Sequence, residues 1–205
     1  RALQRVKRAF EAEKAGHTGS LDPMATGVLP ICLGEATKYS QYLLNADKRY
    51  RSTFSLGIKT DTGDSDGNVI SVGNARDLDL KDIQQAVEGF LGQVRQIPPM
   101  YSAIKRQGKP LYKLARQGIN IEREARIIQI YKYQILNFTK SSTPTLDVDI
   151  SCSKGTYIRA LADELGSMLG CGAHVSSLDR YSAGPFHERD AISLCELETK
   201  SESEN

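Results

Sequence analysis

The chain has 205 residues, of which 40% are apolar and 25% are charged. This balance is ordinary for a globular protein and excludes a disordered or fibrous chain. No apolar run approaches the roughly 20 residues that a membrane-crossing helix needs, so we predict no membrane span. The four cysteines lack the close spacing of a metal or redox motif, which indicates reduced thiols, no metal and a cytoplasmic location.

The net charge of +2 is unevenly distributed. Residues 95–126 carry eight Lys or Arg and two Glu, a local charge of +6. Tyr101, Tyr112 and the Pro98-Pro99 pair are interleaved with these charges. Such a segment suits a surface that follows a phosphate backbone and stacks on bases. A solvated basic hairpin without a partner fits the composition equally well.

The predicted elements do not alternate regularly between strand and helix. Apolar residues three and four apart predict helices over residues 1–14, 35–44, 80–91 and 156–169. Alternating or β-rich patterns predict strands over residues 48–58, 126–138, 146–152 and 173–186. The order favours an α+β fold with a large mixed, mostly antiparallel sheet flanked by helices, rather than a doubly wound fold.

Motifs of several familiar sites are absent: there is no phosphate-binding glycine loop, no His-Glu-x-x-His and no Gly-x-Ser-x-Gly. His17, Ser20 and Asp22 are close in sequence, whereas the side chains of a catalytic triad converge from separate elements. The acidic segment 61–68 lacks the glycine and glutamate register of a calcium loop, so we expect a hydrogen-bonded turn there.

A turn-rich loop at residues 16–23 carries one carboxylate at its tip, Asp22. Gly16 and Gly19 interrupt regular structure, and Pro23 fixes the backbone after the aspartate. Taken alone, an Asp-Pro pair in a turn is more often structural than catalytic. Tyr50 adds a second unusual feature, because alternation places it on the covered face of its predicted strand together with Phe54.

A third feature is the segment 155–159, which enters a predicted helix. Ile158 and Leu161 define the inner stripe of that helix, so Tyr157 and Arg159 are predicted to flank it at a rim where a pocket opens. An arginine there could hold a carboxylate in its ionised form, as a nucleophile requires. A rim arginine in a weak surface salt bridge is the alternative, and periodicity does not decide between them.

Residues 16–29, GHTGSLDPMATGVL, resemble the catalytic loop of the bacterial TruB tRNA pseudouridine synthases. Further matching blocks follow in the same order along the chain, at residues 32–38, 47–50, 60–64, 98–103, 154–159 and 174–178. The resemblance extends to about residue 187, nearly the whole chain. It implies the pseudouridine synthase fold, with a basic RNA-contact insertion in the sheet and helix framework.

The resemblance implies an enzyme that isomerises uridine 55 in the T-loop of tRNA to pseudouridine without cofactor or metal. The target base would be flipped out, and Asp22 would be the nucleophile for glycosidic bond cleavage and reattachment through carbon. Arg159 would pair with Asp22. Tyr50 would stack on the flipped base, with assistance to proton removal at C5 as a further, open role. An extruded base does need an aromatic or apolar wall.

The resemblance also implies the residues that bind the substrate. His17 would help to hold the rearranged T-loop, and Tyr157 and Leu178 would line the uracil pocket. Further contacts with the RNA are expected from Lys38, Lys105, Arg106 and Lys109. The expected partner is the T-stem-loop of tRNA, bound by a cytoplasmic monomer that needs no obligate protein partner and no membrane.

The domain organisation follows from the same resemblance. We expect residues 1–205 to form the catalytic domain, truncated at the N-terminus before the first helix, with an RNA-gripping insertion at about 98–125. The family's small C-terminal RNA-binding domain is expected to be absent, because the chain runs into an acidic, polar tail after Glu196.

Two other functions compete with this interpretation. One is that of the RNA-guided relative that modifies ribosomal RNA, although residues 25–32 resemble the stand-alone bacterial type. The other is a noncatalytic RNA-binding or tRNA-folding module. The presence of Asp22, Tyr50 and Arg159 argues against the module, because binding alone does not require that trio.

Overall fold

The computed structural model describes residues 2–203. Its α-helices are α1 (Ala2–Ala9), α2 (Ser40–Leu44), α3 (Leu80–Glu88), α4 (Leu111–Ala115), α5 (Ile158–Met168) and α6 (Leu194–Ser203). Two 3-10 helices, η1 and η2, span Gly34–Tyr39 and Glu188–Asp190. The strands are β1 (Ala15–His17), β2 (Thr26–Gly27), β3 (Ile31–Leu33), β4 (Lys48–Leu56), β5 (Ile58–Thr60), β6 (Val69–Val72), β7 (Gly92–Gln96), β8 (Lys105–Arg106), β9 (Lys109–Pro110), β10 (Arg126–Thr139), β11 (Thr145–Cys152), β12 (Ala173–Ala183) and β13 (Phe186–His187).

The chain divides into two compact units. The larger unit, residues 51–178, contains a sheet in which β12, β4, β11, β10 and β7 are neighbours in that order. β10 pairs antiparallel with both β11 and β7. β7 is an edge strand of this sheet, and it ends at Gln96, whose side chain binds the main chain at the start of α5.

The core of the larger unit follows the predicted alternation. Leu146, Val148, Ile150 and Cys152 are all buried on one face of β11, as their spacing predicts. α3 contacts β10 and α5. Asp79 caps α3, because its side chain accepts a hydrogen bond from the Asp82 N–H at 2.9 Å, which confirms the predicted helix start.

The smaller unit consists of residues up to Tyr50 and from Asp179 onward. In it, β1 pairs antiparallel with β3, and the end of β12 pairs in parallel with β2 and antiparallel with β13. α1 contacts α6, and Arg5 donates two hydrogen bonds to Glu198 at 2.6 and 2.5 Å. These bonds lower the pKa of the Glu198 carboxyl.

The first and last helices differ from their predicted bounds. The first helix ends at Ala9 rather than at residue 14, and α6 occupies residues predicted to be a polar tail. The sequence did carry a signal for α6: the Ser193 hydroxyl accepts the Glu196 N–H, and the Glu196 carboxylate accepts the Ser193 N–H, a capping box. Residues 204–205 of the predicted tail lie outside the described residues.

The fold class is confirmed. The chain is α+β, with a central, mostly antiparallel sheet flanked by helices and made mixed by the parallel β2–β12 pairing. The four cysteines are free, as expected. Within residues 2–203, no helix combines the length and the apolar character needed to cross a bilayer.

Candidate active site

The loop that carries Asp22 spans residues 18–30 and is closed at its base by hydrogen bonds. The β1–β3 pairing sets His17 opposite Ile31, and the Thr18 N–H donates to the Pro30 carbonyl at 3.2 Å. At the tip, the Ala25 N–H donates to the Asp22 carbonyl at 3.0 Å, which forms a tight turn. Asp22 is half-buried at this turn, and the hydrogen bonds at the base and the tip hold the loop that carries its carboxylate.

A buried arginine on β12, Arg180, contacts this loop on both sides of Asp22. Its Nε–H donates to the Val28 carbonyl at 2.9 Å, and its Nη2 donates to the Gly19 carbonyl at 3.1 Å. Arg180 was not predicted as a site residue. A signal existed, because Arg180 alternates in phase with buried Leu178 and Ser182, and a charge on the buried phase of a strand needs a specific partner.

Three other predicted residues of the smaller unit lie on separate elements. His17 is exposed at the end of β1, where its Nδ1 accepts the Gly19 N–H at 3.4 Å. Tyr50 is half-buried on β4, in phase with buried Ser52 and Phe54, as the alternation predicts. Lys38 is exposed on η1 and forms an ion pair with Glu35. Their proposed contacts with RNA stay predictions.

Arg159 lies in the first turn of α5 and is 3% exposed. The prediction that it sits at an open rim is therefore wrong. Its Nη1 donates to the Thr62 carbonyl at 2.8 Å and its Nη2 to the Tyr101 carbonyl at 2.9 Å. Its Nε lies 3.6 Å from Asp64 Oδ2. The arginine is buried because segments distant in sequence supply these oxygen atoms.

Asp64 itself is fixed by the turn that contains it. The Thr62 hydroxyl donates to Asp64 Oδ1 at 2.6 Å, and the Asp66 N–H donates to the same oxygen at 3.2 Å. The predicted hydrogen-bonded turn at residues 61–68 is thus confirmed. The pairing of Asp64 with Arg159 was not predicted, because nothing local to either segment indicates it.

Tyr157 is the N-cap residue of α5 and is half-buried. The buried Gln96 side chain binds its main chain twice: Oε1 accepts the Tyr157 N–H at 2.8 Å, and Nε2 donates to the Tyr157 carbonyl at 3.1 Å. Gln96 was not predicted either. Leu178, the other residue expected at the uracil pocket, is buried on β12.

The predicted RNA contacts Lys105, Arg106 and Lys109 lie on an exposed hairpin formed by β8 and β9. Gln107 and Gly108 have φ values of 49° and 78°, as a tight hairpin turn requires. Arg106 Nη1 donates to the Glu122 carbonyl at 3.0 Å. Main-chain hydrogen bonds from Leu111 N–H to the Ile104 carbonyl and from Tyr112 N–H to the Ser102 carbonyl close the base of the hairpin, whose cationic side chains are exposed.

A cavity of about 420 Å³ opens elsewhere in the larger unit, lined in part by Leu56, Asn74, Arg76 and Thr143. None of the predicted site residues lines it. Among the described residues, no cluster of His, Cys, Asp and Glu has the geometry to hold a metal ion.

Two family models match the chain. Residues 7–158 match the N-terminal domain of the TruB family pseudouridylate synthases, and residues 159–205 match the tRNA pseudouridylate synthase B C-terminal domain. The second match falls on residues assigned above to a single catalytic domain, whose boundaries stay a prediction.

Curated relatives named tRNA pseudouridine synthase B are similar over nearly all of this chain. The relative from Saccharophagus degradans is 55% identical over 96% of the chain, and that from Haemophilus influenzae (strain KW20) is 52% identical over 98%. The relative from Pseudomonas aeruginosa (strain UCBPP-PA14) is 53% identical over 96%. The chain spans 63–64% of the length of these relatives.

Solved structures show the same fold. A Cbf5–Nop10–Gar1 complex aligns with a TM-score of 0.68 at 31% identity, covering 91% of this chain and 45% of the other. An H/ACA RNP bound to a substrate RNA containing 2'-deoxyuridine aligns with a TM-score of 0.67 at 28% identity, covering 94% and 46%. With its family-model matches, the chain belongs to the TruB family of pseudouridylate synthases.

Proposed function

We propose that this chain isomerises uridine 55 in the T-loop of tRNA to pseudouridine. The observation that carries the proposal is the ordered loop in which Asp22 is held, within a chain that belongs to the TruB family. Its curated relatives are named tRNA pseudouridine synthase B, and that name supports tRNA as the substrate class.

The reaction is an isomerisation, and its atoms balance without an added reagent. The bond between C1' of the ribose and N1 of uracil breaks, and a bond from C1' to C5 forms. The proton on C5 is lost, and N1 gains one. A carboxylate nucleophile with acid–base assistance is sufficient for this sequence.

Asp22 is proposed as the nucleophile that engages the flipped nucleoside. Tyr50 is proposed to stack on the uracil ring and to assist removal of the C5 proton. Arg159 is proposed as the cation that keeps the Asp22 carboxylate ionised, as the family resemblance implies. The Arg159 guanidinium is held in place by the Thr62 and Tyr101 carbonyls and by Asp64, whose Oδ2 lies 3.6 Å from Nε.

The RNA is proposed to contact several elements. His17 and Tyr157 would bind the T-loop and the uracil, together with Leu178. The exposed basic side chains would bind phosphates, at Lys38, Lys105, Arg106 and Lys109. Because each phosphate contact releases counterions, this part of the binding weakens as salt concentration rises.

We further propose a cytoplasmic monomer that acts without an obligate protein partner. The solved structures similar to this chain include complexes of Cbf5 with Nop10 and Gar1, so independence from partners needs its own test. Turnover by the purified chain alone, at a mass in solution equal to one copy, is the expected result. Activity that appears only after addition of a second protein or a guide RNA contradicts it.

The test of the function is release of tritium from a T-stem-loop labelled at C5 of the target uridine. The wild-type chain is expected to release tritium in proportion to pseudouridine, and an unlabelled T-stem-loop is expected to keep its mass. Asp22→Asn keeps the shape of the side chain but loses the nucleophile, so release is expected to stop while RNA binding persists. Asp82→Asn makes the same chemical change on the exposed surface of α3 and serves as the matched control.

Two outcomes would contradict the proposal. Tight RNA binding by the wild-type chain without tritium release would favour the noncatalytic module. Appreciable turnover by Asp22→Asn, with deamidation excluded by mass spectrometry, would remove Asp22 from the reaction.

A further inference from the structure

We propose that Arg180 is a positioning residue that holds the Asp22 loop, residues 18–30, in the conformation that catalysis requires. The loop's role in catalysis rests on the proposed function, whereas its attachment to Arg180 rests on geometry alone. Arg180 is 2% exposed on β12.

The guanidinium of Arg180 joins the two arms of the loop. Its Nη2 binds the Gly19 carbonyl at 3.1 Å, on the arm that leads into Asp22. Its Nε binds the Val28 carbonyl at 2.9 Å, on the arm that leaves Asp22. Its Nη1 also lies 3.5 Å from the Ser20 carbonyl. One rigid planar group therefore sets the separation of the two arms.

The two arms depend on Arg180 to different degrees. The outgoing arm has other attachments: Val28 N–H donates to the Arg180 carbonyl at 2.7 Å, and the Thr26 hydroxyl donates to Asp179 at 2.8 Å. Gly27, with φ of +101°, approaches so closely that a Cβ there would lie 2.4 Å from the Arg180 carbonyl oxygen. The incoming arm at Gly19 and Ser20 is joined to β12 through the guanidinium.

A buried cation bound to main-chain carbonyls is a costly way to gain stability, because a charge must leave water. A guanidinium is better suited to positioning the main chain than to stabilising the fold, since it presents several donors in a fixed plane. Lysine has the same charge, but its donors all lie on one nitrogen, so it cannot reproduce the separate Nε and Nη2 donors that reach Val28 and Gly19 in one plane. The Arg180→Lys variant therefore separates position from charge.

The first measurement is amide hydrogen exchange of the loop, which does not depend on activity. In the wild-type chain, peptides covering residues 18–25 are expected to be protected to a similar degree as β3. In Arg180→Lys their exchange is expected to accelerate at least tenfold, while β3 keeps its protection. Arg189→Lys is the matched control, because Arg189 is an exposed arginine in the same unit.

The second measurement is single-turnover tritium release at saturating T-stem-loop. A displaced catalytic group can cost about 100-fold in rate, so we expect Arg180→Lys to lose at least tenfold in rate with its RNA Kd within threefold of wild type. If Arg180 only stabilised the fold, its substitution would lower the melting temperature without lowering the rate at constant RNA Kd. Arg180→Gln, which removes the charge, is the second variant if the lysine variant does not fold.

The outcomes are distinct. Faster amide exchange in the loop together with slower tritium release in Arg180→Lys supports the inference. An unprotected loop in the wild-type chain overturns it without any variant, and so does an unchanged rate in a variant whose loop has loosened. A loosened loop in the variant together with an inactive wild-type chain supports the attachment and overturns the proposed function instead.

Discussion

The side-chain amide of Gln96 binds the main chain of Tyr157 as a neighbouring strand would, accepting its N–H at 2.8 Å and donating to its carbonyl at 3.1 Å. Gln96 is the last residue of β7, and Tyr157 is the N-cap of α5. This pair therefore ties the end of a strand to the start of the helix that carries Arg159. The amide gives the Tyr157 N–H a partner at the helix entry, whereas the Tyr157 carbonyl also accepts the Leu161 N–H at 3.2 Å within α5.

Gln96→Leu is expected to lower the free energy of unfolding by about 1–3 kcal/mol, because it removes both hydrogen bonds from the Gln96 side chain to the Tyr157 main chain. It is also expected to slow tritium release more than it weakens RNA binding, since the first turn of α5 loses its anchor. Urea unfolding and single-turnover rates measure the two effects. Gln93→Leu, an exposed position on the same strand, is the control, and equal unfolding midpoints for both variants would contradict the prediction.

Asp64→Asn keeps the shape of the side chain but removes the negative charge 3.6 Å from Arg159 Nε. Both side chains are buried, so loss of one partner leaves the other charge poorly compensated. We expect tritium release to slow at least tenfold with the RNA Kd little changed, and stability to fall by about 3–5 kcal/mol. Asp66→Asn changes an exposed carboxylate in the same turn. A wild-type rate in Asp64→Asn would show that Arg159 does not depend on this carboxylate.

Replacing the basic side chains of the β8–β9 hairpin tests the RNA interface. The triple variant Lys105→Ala, Arg106→Ala, Lys109→Ala is expected to weaken RNA binding and to flatten its salt dependence. Each lost phosphate contact should reduce the slope of log affinity against log salt by roughly 0.7 to 0.9. Lys140→Ala, at an exposed turn, controls for loss of positive charge. An unchanged slope would mean that the hairpin does not touch the RNA backbone.

Two substitutions of Tyr50 distinguish stacking on the uracil ring from proton transfer. Tyr50→Phe keeps the half-buried ring and loses the hydroxyl, so turnover is expected to fall by roughly 100-fold while RNA still binds. Tyr50→Leu also loses the aromatic face, and we expect a further loss of about 1–3 kcal/mol in binding of the flipped base. Tritium release and filter binding give the two quantities. Full activity in both variants would make Tyr50 a residue of the core only.

Tyr133 offers a prediction about stability. Its hydroxyl is buried without a hydrogen-bond partner among the described residues, and burial raises its pKa. Tyr133→Phe keeps the ring contact with Phe90 and is expected to raise the free energy of unfolding by about 1 kcal/mol. Tyr39→Phe, at an exposed position, is the control.

The raised pKa of Tyr133 also sets the sign of a pH effect. The unfolded chain loses the tyrosine proton above about pH 10, whereas the folded chain retains it, so stability falls as pH rises beyond that value. The advantage of Tyr133→Phe over wild type is therefore expected to grow between pH 9 and about pH 11. A constant difference in unfolding free energy across that range would contradict the prediction.

Local patterns predicted much of the fold. Alternation over residues 146–152 predicted a strand, and apolar spacing predicted the helix that begins at residue 80, directly after its Asp79 cap. Both succeeded because strand alternation and helix capping depend on residues that are neighbours in sequence. The blocks around Asp22 and Arg159 indicated the family for a related reason, since each block is a short contiguous segment.

Burial on a particular face was less predictable. Arg159 was expected at a rim and is only 3% exposed. Helical spacing identifies which residues share a face, but the elements packed against that face decide whether it is covered. For Arg159, those elements are the turn at residues 61–68 and the Tyr101 main chain.

The sequence by itself determined the class of the fold, the long strands β4, β10, β11 and β12 with helices α3 and α5, and the segments that carry the candidate catalytic residues. Only the tertiary structure decided how those segments are held: Asp64 on Arg159, Gln96 on Tyr157, and Arg180 on the Asp22 loop. The physical reason is distance along the chain, since Arg180 lies 152 positions from the Val28 carbonyl that it binds. Contacts of that kind leave no local periodicity, and they form only when the strands and loops have packed.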